Sequence, residues 1–325
     1  MTGVQQIRVK AGEADSRLDR WFKRRFPHLS HGQLEKLLRK GQIRVDGGRA
    51  KANTRLEAGQ TVRVPPLDDA PERADRSGPT PADAALIRSL VIHQDDAVIA
   101  LNKPPGLAAQ GGSKITRHVD GLLDALAKDG ERPRLAHRLD KDTSGVLLLG
   151  RTANATAALA RAFQSRRAEK TYWAVVLGAP RPGQGTIKGF MKKGTEGRAE
   201  KERMIAAEHG DEGAQYAKSR FSVISEAGRR ASWVALRPES GRTHQLRFHM
   251  AEIGYPIAGD RKYVCDRPPL LEVKGLMLHA RSIALDHPNG GRLTVNAPLS
   301  KPMAGVFDAL GFRTEDYVEP EWPED

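Results

Sequence analysis

The chain has 325 residues, with 53 Lys and Arg against 40 Asp and Glu, a formal charge of +13, and an ordinary 39% of hydrophobic residues. That size suits about two globular domains, and the charge suits a polyanionic partner, either nucleic acid or an anionic membrane surface. The single cysteine, Cys265, excludes a disulfide framework and any multi-cysteine metal centre, and the apolar runs fall far short of the roughly 20 residues that span a bilayer.

Met1 to Gln6 lack the charged-then-apolar layout of a secretory leader, so a soluble, cytoplasmic protein is expected. Residues 1–66 carry 15 basic and 6 acidic side chains. Ser16 followed by Leu18, Trp21 and Phe22 predicts a short amphipathic helix. Ser30-His31-Gly32-Gln33 reads as a capping box, with Leu34, Leu37 and Leu38 as the apolar stripe and Arg39, Lys40 and Gly41 as the stop. Ile43 to Asp46 alternates as a strand, Gly47-Gly48 turns it, and Thr61 to Val64 supplies another. Such a module gathers Arg24, Arg25, Lys36, Arg39, Lys40 and Arg44, which suit phosphate contacts, the solvated faces of ordinary helices being the alternative.

Residues 67–83, net −3 with Pro71, Pro79 and Pro81, predict a linker. Residues 84–312 hold +12 and form the second, larger domain, and residues 313–325, net −5, predict a solvated acidic tail. Within the larger domain, His137 to Gly145 is a charged loop running into the buried strand Val146 to Leu149. Flanking cations favour an ionised, nucleophilic carboxylate at Asp140 or Asp142, although Asp, Thr, Ser and Gly equally compose a plain strand-entry turn. Asp142 is expected to cap its own turn through Thr143 or Ser144. Glu169 to Val176 predicts a strand with Tyr172 and Ala174 on one face, a tyrosine position that is usually plain packing. Leu246, Met250 and Ile253 predict a helix from near Thr243 to Gly254, placing Arg247 beside the apolar stripe, where it needs an anionic partner. His244 and His249 are five apart, not the four of a helical zinc pair, so no metal is expected.

Several of these stretches carry a family resemblance. Ser16 to Asp19, Leu34 to Gly41 and Ile43 to Gly47 look like the RNA-binding module of small-subunit ribosomal protein S-four. Asn102-Lys103-Pro104-Pro105-Gly106, His137 to Gly145, Lys170-Thr171-Tyr172, Gly241 to Met250 with Gly254 to Asp260, and Leu278-His279-Ala280 resemble the RluA family of pseudouridine synthases, most of all its ribosomal large-subunit synthase C branch. Ala108-Ala109-Gln110 departs from the family pattern, and residues 181–220 match it poorly. The resemblance implies an α+β chain: a small RNA-binding module at 1–66, a linker at 67–83, a catalytic domain at 84–312 on a mixed, mostly antiparallel sheet flanked by helices, and the tail. It implies isomerisation of uridine to pseudouridine in RNA, most of all 23S rRNA, by a monomer without metal or cofactor. By the same resemblance Asp140 is the nucleophile attacking the ribose anomeric carbon, Arg247 pairs with that carboxylate, and Tyr172 stacks on the target base. Arg138 fills the gap left by the flipped base, Leu278 lines an apolar pocket, and His137 and Lys103 belong to the substrate site. The alternatives are a synthase acting on tRNA, or a catalytically idle RNA-binding or assembly factor on the same fold; a carboxylate-pair glycosidase lacks an aromatic sugar platform.

Overall fold

The computed structural model describes residues 3–26, 29, 31–67, 79–112, 115–165, 167–196, 201–264 and 273–323. The chain divides into two compact units, Met1–Ser77 and Gly78–Asp325. Ser30, Cys265 and residues 68–78 of the expected linker lie outside the described residues.

In the first unit, β1 (Gln5–Arg8), α1 (Leu18–Arg25), α2 (His31–Arg39), β2 (Arg44–Val45), β3 (Gly48–Arg49) and β4 (Thr61–Val64) follow one another. The strands form a sheet in the order β1-β4-β2-β3. The expected stripes meet in one core, with Leu18, Trp21, Phe22, Leu34, Leu38, Ile43 and Val62 buried together. Helix α2 stops as the sequence predicts. Gly41 takes φ +67, its N–H donates to the Leu38 carbonyl at 2.9 Å, and Gln42 N–H donates to the Leu37 carbonyl at 3.0 Å, a Schellman closure. Arg17 is the capping position of α1, and the Ser16 hydroxyl donates to the Glu13 carbonyl at 2.7 Å. Of the six cations, Arg25 pairs with Glu13 at 2.7 Å, and Arg44 donates to the carbonyls of Gly41 and Gly47, both at 3.1 Å. Arg24 on α1, Lys36 and Arg39 on α2, and Lys40 in the turn that follows it are exposed.

The second unit opens with α3 (Pro81–Ser89), capped by the Thr80 hydroxyl, which accepts from Asp83 N–H at 3.1 Å. Residues 81–83, expected in the linker, are therefore its first turn; Pro81 begins a helix there, because the first helical position needs no N–H. There follow β5 (Val91–Gln94), β6 (Val98–Lys103), α4 (Val119–Leu122), β7 (Arg134–Leu135), β8 (Ser144–Gly150) and α5 (Ala153–Gln164). Next come β9 (Glu169–Leu177), β10 (Gln184–Glu196), β11 (Lys201–Ala207), β12 (Gln215–Ala227) and β13 (Ala231–Pro238). The unit continues through α6 (Gln245–Glu252), β14 (Leu278–Asp286), β15 (Arg292–Asn296) and α7 (Lys301–Leu310).

The described strands form one sheet in the order β11-β10-β12-β13-β9-β14-β8-β6-β5, with β15 beside β14 and β7 beside β8. Every pairing is antiparallel except β14 with β8. Strand β8 is buried along its whole length because both its faces are covered, as its unbroken apolar run suggests. Val146 and Leu148 pack with Ala155 and Leu159 of α5, while Leu147 and Leu149 pack with Ile87 of α3 and Val119 of α4.

The parallel step between β8 and β14 needs a close approach. Gly145 has φ +108, and a Cβ there would overlap the backbone of Ala280. A buried hydrogen bond of 2.9 Å between Ser144 Oγ and His279 Nδ1 ties the same two strands. The described residues of the stretch 181–220, poorly matched to the family pattern, include β10, β11 and the start of β12, and Met191, Met204 and Ala217 pack there against Phe248 of α6 and Tyr263. The acidic C-terminal stretch is not a solvated tail. Tyr317 packs on Trp173 with ring centroids 4.9 Å apart, and Glu319 accepts from Arg237 at 2.6 Å, so these two residues tie the stretch to the sheet, while Glu315, Asp316 and Glu321 stay exposed.

Candidate active site

Asp140 lies in the loop between β7 and β8, where two neighbours hold the backbone. Thr143 N–H donates to the Asp140 carbonyl at 3.2 Å, and the Lys141 carbonyl accepts from Gly106 N–H at 2.9 Å and from Lys103 Nζ at 3.0 Å. Lys103 is fully buried and also donates to the carbonyls of Pro104 (3.0 Å) and Leu107 (2.8 Å). Burial pushes its pKa down to about 7, opposed by the charges of Asp142 and Asp140. Three carbonyl acceptors match the three protons of the ammonium. Lys103, expected at the substrate, is thus a clamp beneath the loop, with no exposed surface to offer RNA. Asp142 does not cap its turn: it is exposed, and its charge acts on Lys103.

The loop opens on a cavity of about 590 Å³ lined by Arg138, Asp140, Tyr172, His244, Arg247 and Leu278, among others. Tyr172 of β9 and Leu278 of β14 reach it from neighbouring strands, in a register that pairs Leu278 with Ala174 and Ala280 with Tyr172. Burial, aided by the Asp140 charge, pushes the Tyr172 hydroxyl well above its ordinary pKa, so it stays protonated. Arg138 is exposed on the rim. His137 also lines the cavity, but its Nε2 accepts from Leu148 N–H at 2.9 Å and its ring lies 4.2 Å from that of Phe163. Burial and the Lys170 charge push its pKa down to about 3, so it is a neutral brace between loop and strand.

Opposite Asp140 stands the turn into α6. The helix begins at Gln245, two residues later than the apolar spacing suggests, because His244 takes φ +54 and ψ 17 in the left-handed region. A non-glycine residue there is uncommon and clusters at functional sites. The turn is pinned by Gln245, whose Oε1 accepts from Ser240 Oγ at 2.6 Å and whose Nε2 donates to the Lys218 carbonyl and Ser219 Oγ, both at 2.9 Å. Arg247 has the anionic partner its burial demands, in a two-point fork to Asp260 with Nε–Oδ2 2.7 Å and Nη2–Oδ1 2.8 Å. Burial opposes its charge, but Asp260, with Asp140 and Tyr263 farther out, more than offsets this and raises its pKa. The fork is therefore to Asp260, and Asp140 meets Arg247 through the longer-range charge. Within 4.0 Å of the Asp140 carboxylate, among the described residues, the basic side chain is His244, Nε2 to Oδ2 at 3.9 Å.

The arrangement is a carboxylate at the mouth of a cleft, between a protonated tyrosine, an apolar wall and a rim arginine. Such a carboxylate can attack an electrophilic carbon or stabilise a developing oxocarbenium ion. Residues 97–252 match the RNA pseudouridylate synthase family and residues 16–62 match the S4 domain. The chain is 36% identical over 275 residues to "Ribosomal large subunit pseudouridine synthase C" of Rickettsia bellii, covering 83% of this chain and 89% of that protein. It is 32% identical over 317 residues to the protein of the same name from Pasteurella multocida, covering 94% of each.

The chain belongs to the RNA pseudouridylate synthase family.

A solved structure, "Human RNA Pseudouridylate Synthase Domain Containing 4", superposes on the synthase with a TM-score of 0.60 at 27% identity, over 71% of this chain and 97% of that one. The synthase is a mixed α+β protein with an S4 domain at its N-terminus, and its reaction is the isomerisation of uridine in RNA. No described helix is long and apolar enough to cross a membrane. Sequence reasoning missed Tyr263 and gave no role to His244 or Asp260. The buried arginine's need for an anion was the signal for Asp260, but the carboxylate that answers it comes from a loop 13 residues on.

Proposed function

We propose that this synthase isomerises uridines of large-subunit ribosomal RNA, with Asp140 as the nucleophile. The observation that carries the reading is the position of Asp140 at the mouth of a cleft walled by Tyr172, Leu278 and Arg138. The large-subunit assignment is supported by the likeness to relatives of that name over most of the chain.

A uridine leaves its stack, at a cost of a few kcal/mol, to enter the cleft. A carboxylate oxygen of Asp140 bonds to C1′ as the N1–C1′ bond breaks, its electron pair leaving with the uracil. The uracil turns, C5 bonds to C1′, and the C1′–oxygen bond to Asp140 breaks. The proton on C5 is then lost and N1 gains one, so substrate and product are isomers. Tyr172 stacks on the base, Leu278 supplies the apolar wall, and Arg138 enters the space the base vacates. Arg247 supplies positive charge beside the carboxylate while its fork holds Asp260.

The test is Asp140→Asn, assayed by tritium release from uracil-5-labelled large-subunit rRNA. Turnover is expected to vanish while RNA affinity stays within severalfold of the unmodified protein. Equal turnover would overturn the assignment of Asp140. Mapping pseudouridines in rRNA and tRNA from cells lacking the protein tests the substrate: sites lost only from tRNA would overturn the large-subunit reading.

A further inference from the structure

His244 lines the cleft and faces Asp140, and the reading above leaves it without a role. Its Nδ1 lies 3.0 Å from Tyr263 Oη, and its Nε2 points to Asp140. The tautomer follows from counting protons. Tyr263 Oη accepts from Met204 N–H at 2.9 Å, so its own proton needs an acceptor, and His244 Nδ1 is the partner in reach. An imidazole that accepts at Nδ1 carries its proton on Nε2, on the side of Asp140. The ring is also neutral. Burial pushes its pKa down to about 4; Asp140 and Asp260 oppose this, while Arg247 and Lys262 add to it.

The environment that sets this ring is built for the purpose by three separate elements. Met204 belongs to β11, Tyr263 packs in the cluster with Met191, Met204 and Phe248, and His244 holds its left-handed backbone at the mouth of α6. The Arg247 guanidinium sits 5.3 Å from the centre of the Tyr263 ring, so the phenol is fixed from below as well. The fork to Asp260 leaves Nε2–H of His244 as the donor aimed at the Asp140 carboxylate. At 3.9 Å the approach is too long for a hydrogen bond and too short to admit a water, the open geometry that tightens when substrate closes a site.

We propose that His244, held with its proton on Nε2 by Tyr263, is a positioning residue that donates to Oδ2 of Asp140 in the substrate complex and leaves the other carboxylate oxygen free to attack C1′. A neutral donor suits this task, because it orients the carboxylate without the strong pairing by which an imidazolium would blunt its nucleophilicity. The inference rests on Asp140 as the nucleophile.

The experiment compares His244→Ala, His244→Gln and Tyr263→Phe with the unmodified protein in single-turnover tritium release from labelled rRNA, with RNA affinity measured alongside. His244→Ala is expected to lower the rate about 10- to 100-fold, the worth of a hydrogen bond to a charged group, with affinity changed less than about threefold. His244→Gln keeps an N–H donor of similar reach and is expected to recover most of the rate. Tyr263→Phe releases the tautomer and is expected to lower the rate with affinity retained. In the unmodified protein, nitrogen NMR of the imidazole is expected to show the proton on Nε2 between pH 6 and 8, and in Tyr263→Phe a mixture of tautomers. An unmodified protein without turnover overturns the reading of Asp140 itself. With that activity present, a His244→Ala rate equal to wild type, a loss confined to affinity, a His244→Gln variant as slow as alanine, or a proton found on Nδ1 each overturns the role of His244.

Discussion

Arg247 and Asp260 hold one another in a buried two-point fork, and the same carboxylate anchors the loop behind the cleft. Asp260 Oδ1 also accepts from the N–H groups of Lys262 at 2.8 Å and Tyr263 at 3.2 Å. The pair therefore joins α6 to the chain that carries Tyr263, and fixes both walls behind Asp140.

Asp260→Ala removes one partner of this pair and leaves the guanidinium buried and uncompensated. Breaking a buried pair in this way costs about 3–5 kcal/mol. Urea unfolding of the variant is expected to show a loss of that size, and Arg247→Lys a smaller but clear one, since an ammonium cannot make the fork. Loss of less than about 1 kcal/mol in Asp260→Ala would show that the fork adds little.

What the sequence shows and what it hides differ for a physical reason. The stripe Leu18, Trp21 and Phe22 and the unbroken run Val146 to Leu149 announce their elements, because helix faces and buried strands are set by local periodicity. The nine residues from His137 to Gly145 mark the loop that carries Asp140 to the cleft. Lys103 shows the opposite case. By the family resemblance it reads as part of the substrate site, and only the burial of β6 and the three converging carbonyls make it a clamp. The fork to Asp260 and the chain from Met204 through Tyr263 to His244 join residues far apart along the sequence, and no local pattern records such pairings. Thr80 and the prolines around it read as a break, yet Thr80 caps α3 and Pro81 starts it.

Lys103→Met tests the clamp. The substitution keeps the apolar stem but withdraws the donor from three carbonyls, which is expected to cost about 1–3 kcal/mol of stability. The Lys141 carbonyl keeps only the Gly106 N–H, so the loop bearing Asp140 loosens. Single-turnover rate is expected to fall together with the urea midpoint. A variant with lowered stability but an unchanged rate would separate the clamp from the placement of Asp140.

Gly145→Ala tests the close approach of β14. The residue needs a positive φ, and its new Cβ meets the Ala280 backbone, which no rotamer can relieve. Strain of this kind costs roughly 1–3 kcal/mol or more. Because Leu278 precedes Ala280 by two residues on β14, the apolar wall of the cleft moves with it, and affinity for the target RNA is expected to weaken as stability falls. A variant as stable as the unmodified protein would mean that the two strands have room to separate.

Asp95 provides a pH signature away from the cleft. Burial works against its charge, but donors from Ala97, His93 and Val98, with the charge of His287, more than offset this and hold its pKa down to about 2. A carboxyl lowered in the folded state contributes stability that is fully present above its ordinary pKa of about 4 and is lost as the pH falls through about 2. The difference in unfolding free energy between the unmodified protein and Asp95→Asn is therefore expected to narrow from pH 4 downward. A difference that is flat down to pH 2.5 would count against a depressed Asp95.

The basic face of the first unit makes a prediction that separates charge from fold. Arg24, Arg39 and Lys40 are exposed and have no ion-pair partner among the described residues, unlike Arg25 with Glu13. Their removal leaves the buried stripes of α1 and α2 untouched. If they meet RNA phosphates, each phosphate pairing removed reduces the slope of log affinity against log salt by roughly 0.7–0.9. The triple variant Arg24→Gln, Arg39→Gln, Lys40→Gln is therefore expected to flatten that slope by about 2, to weaken RNA binding most at low salt, and to leave the saturated single-turnover rate unchanged. An unaltered slope would make these side chains ordinary solvated cations. A lowered rate at saturation would mean that the unit aligns the target uridine as well as holding the RNA.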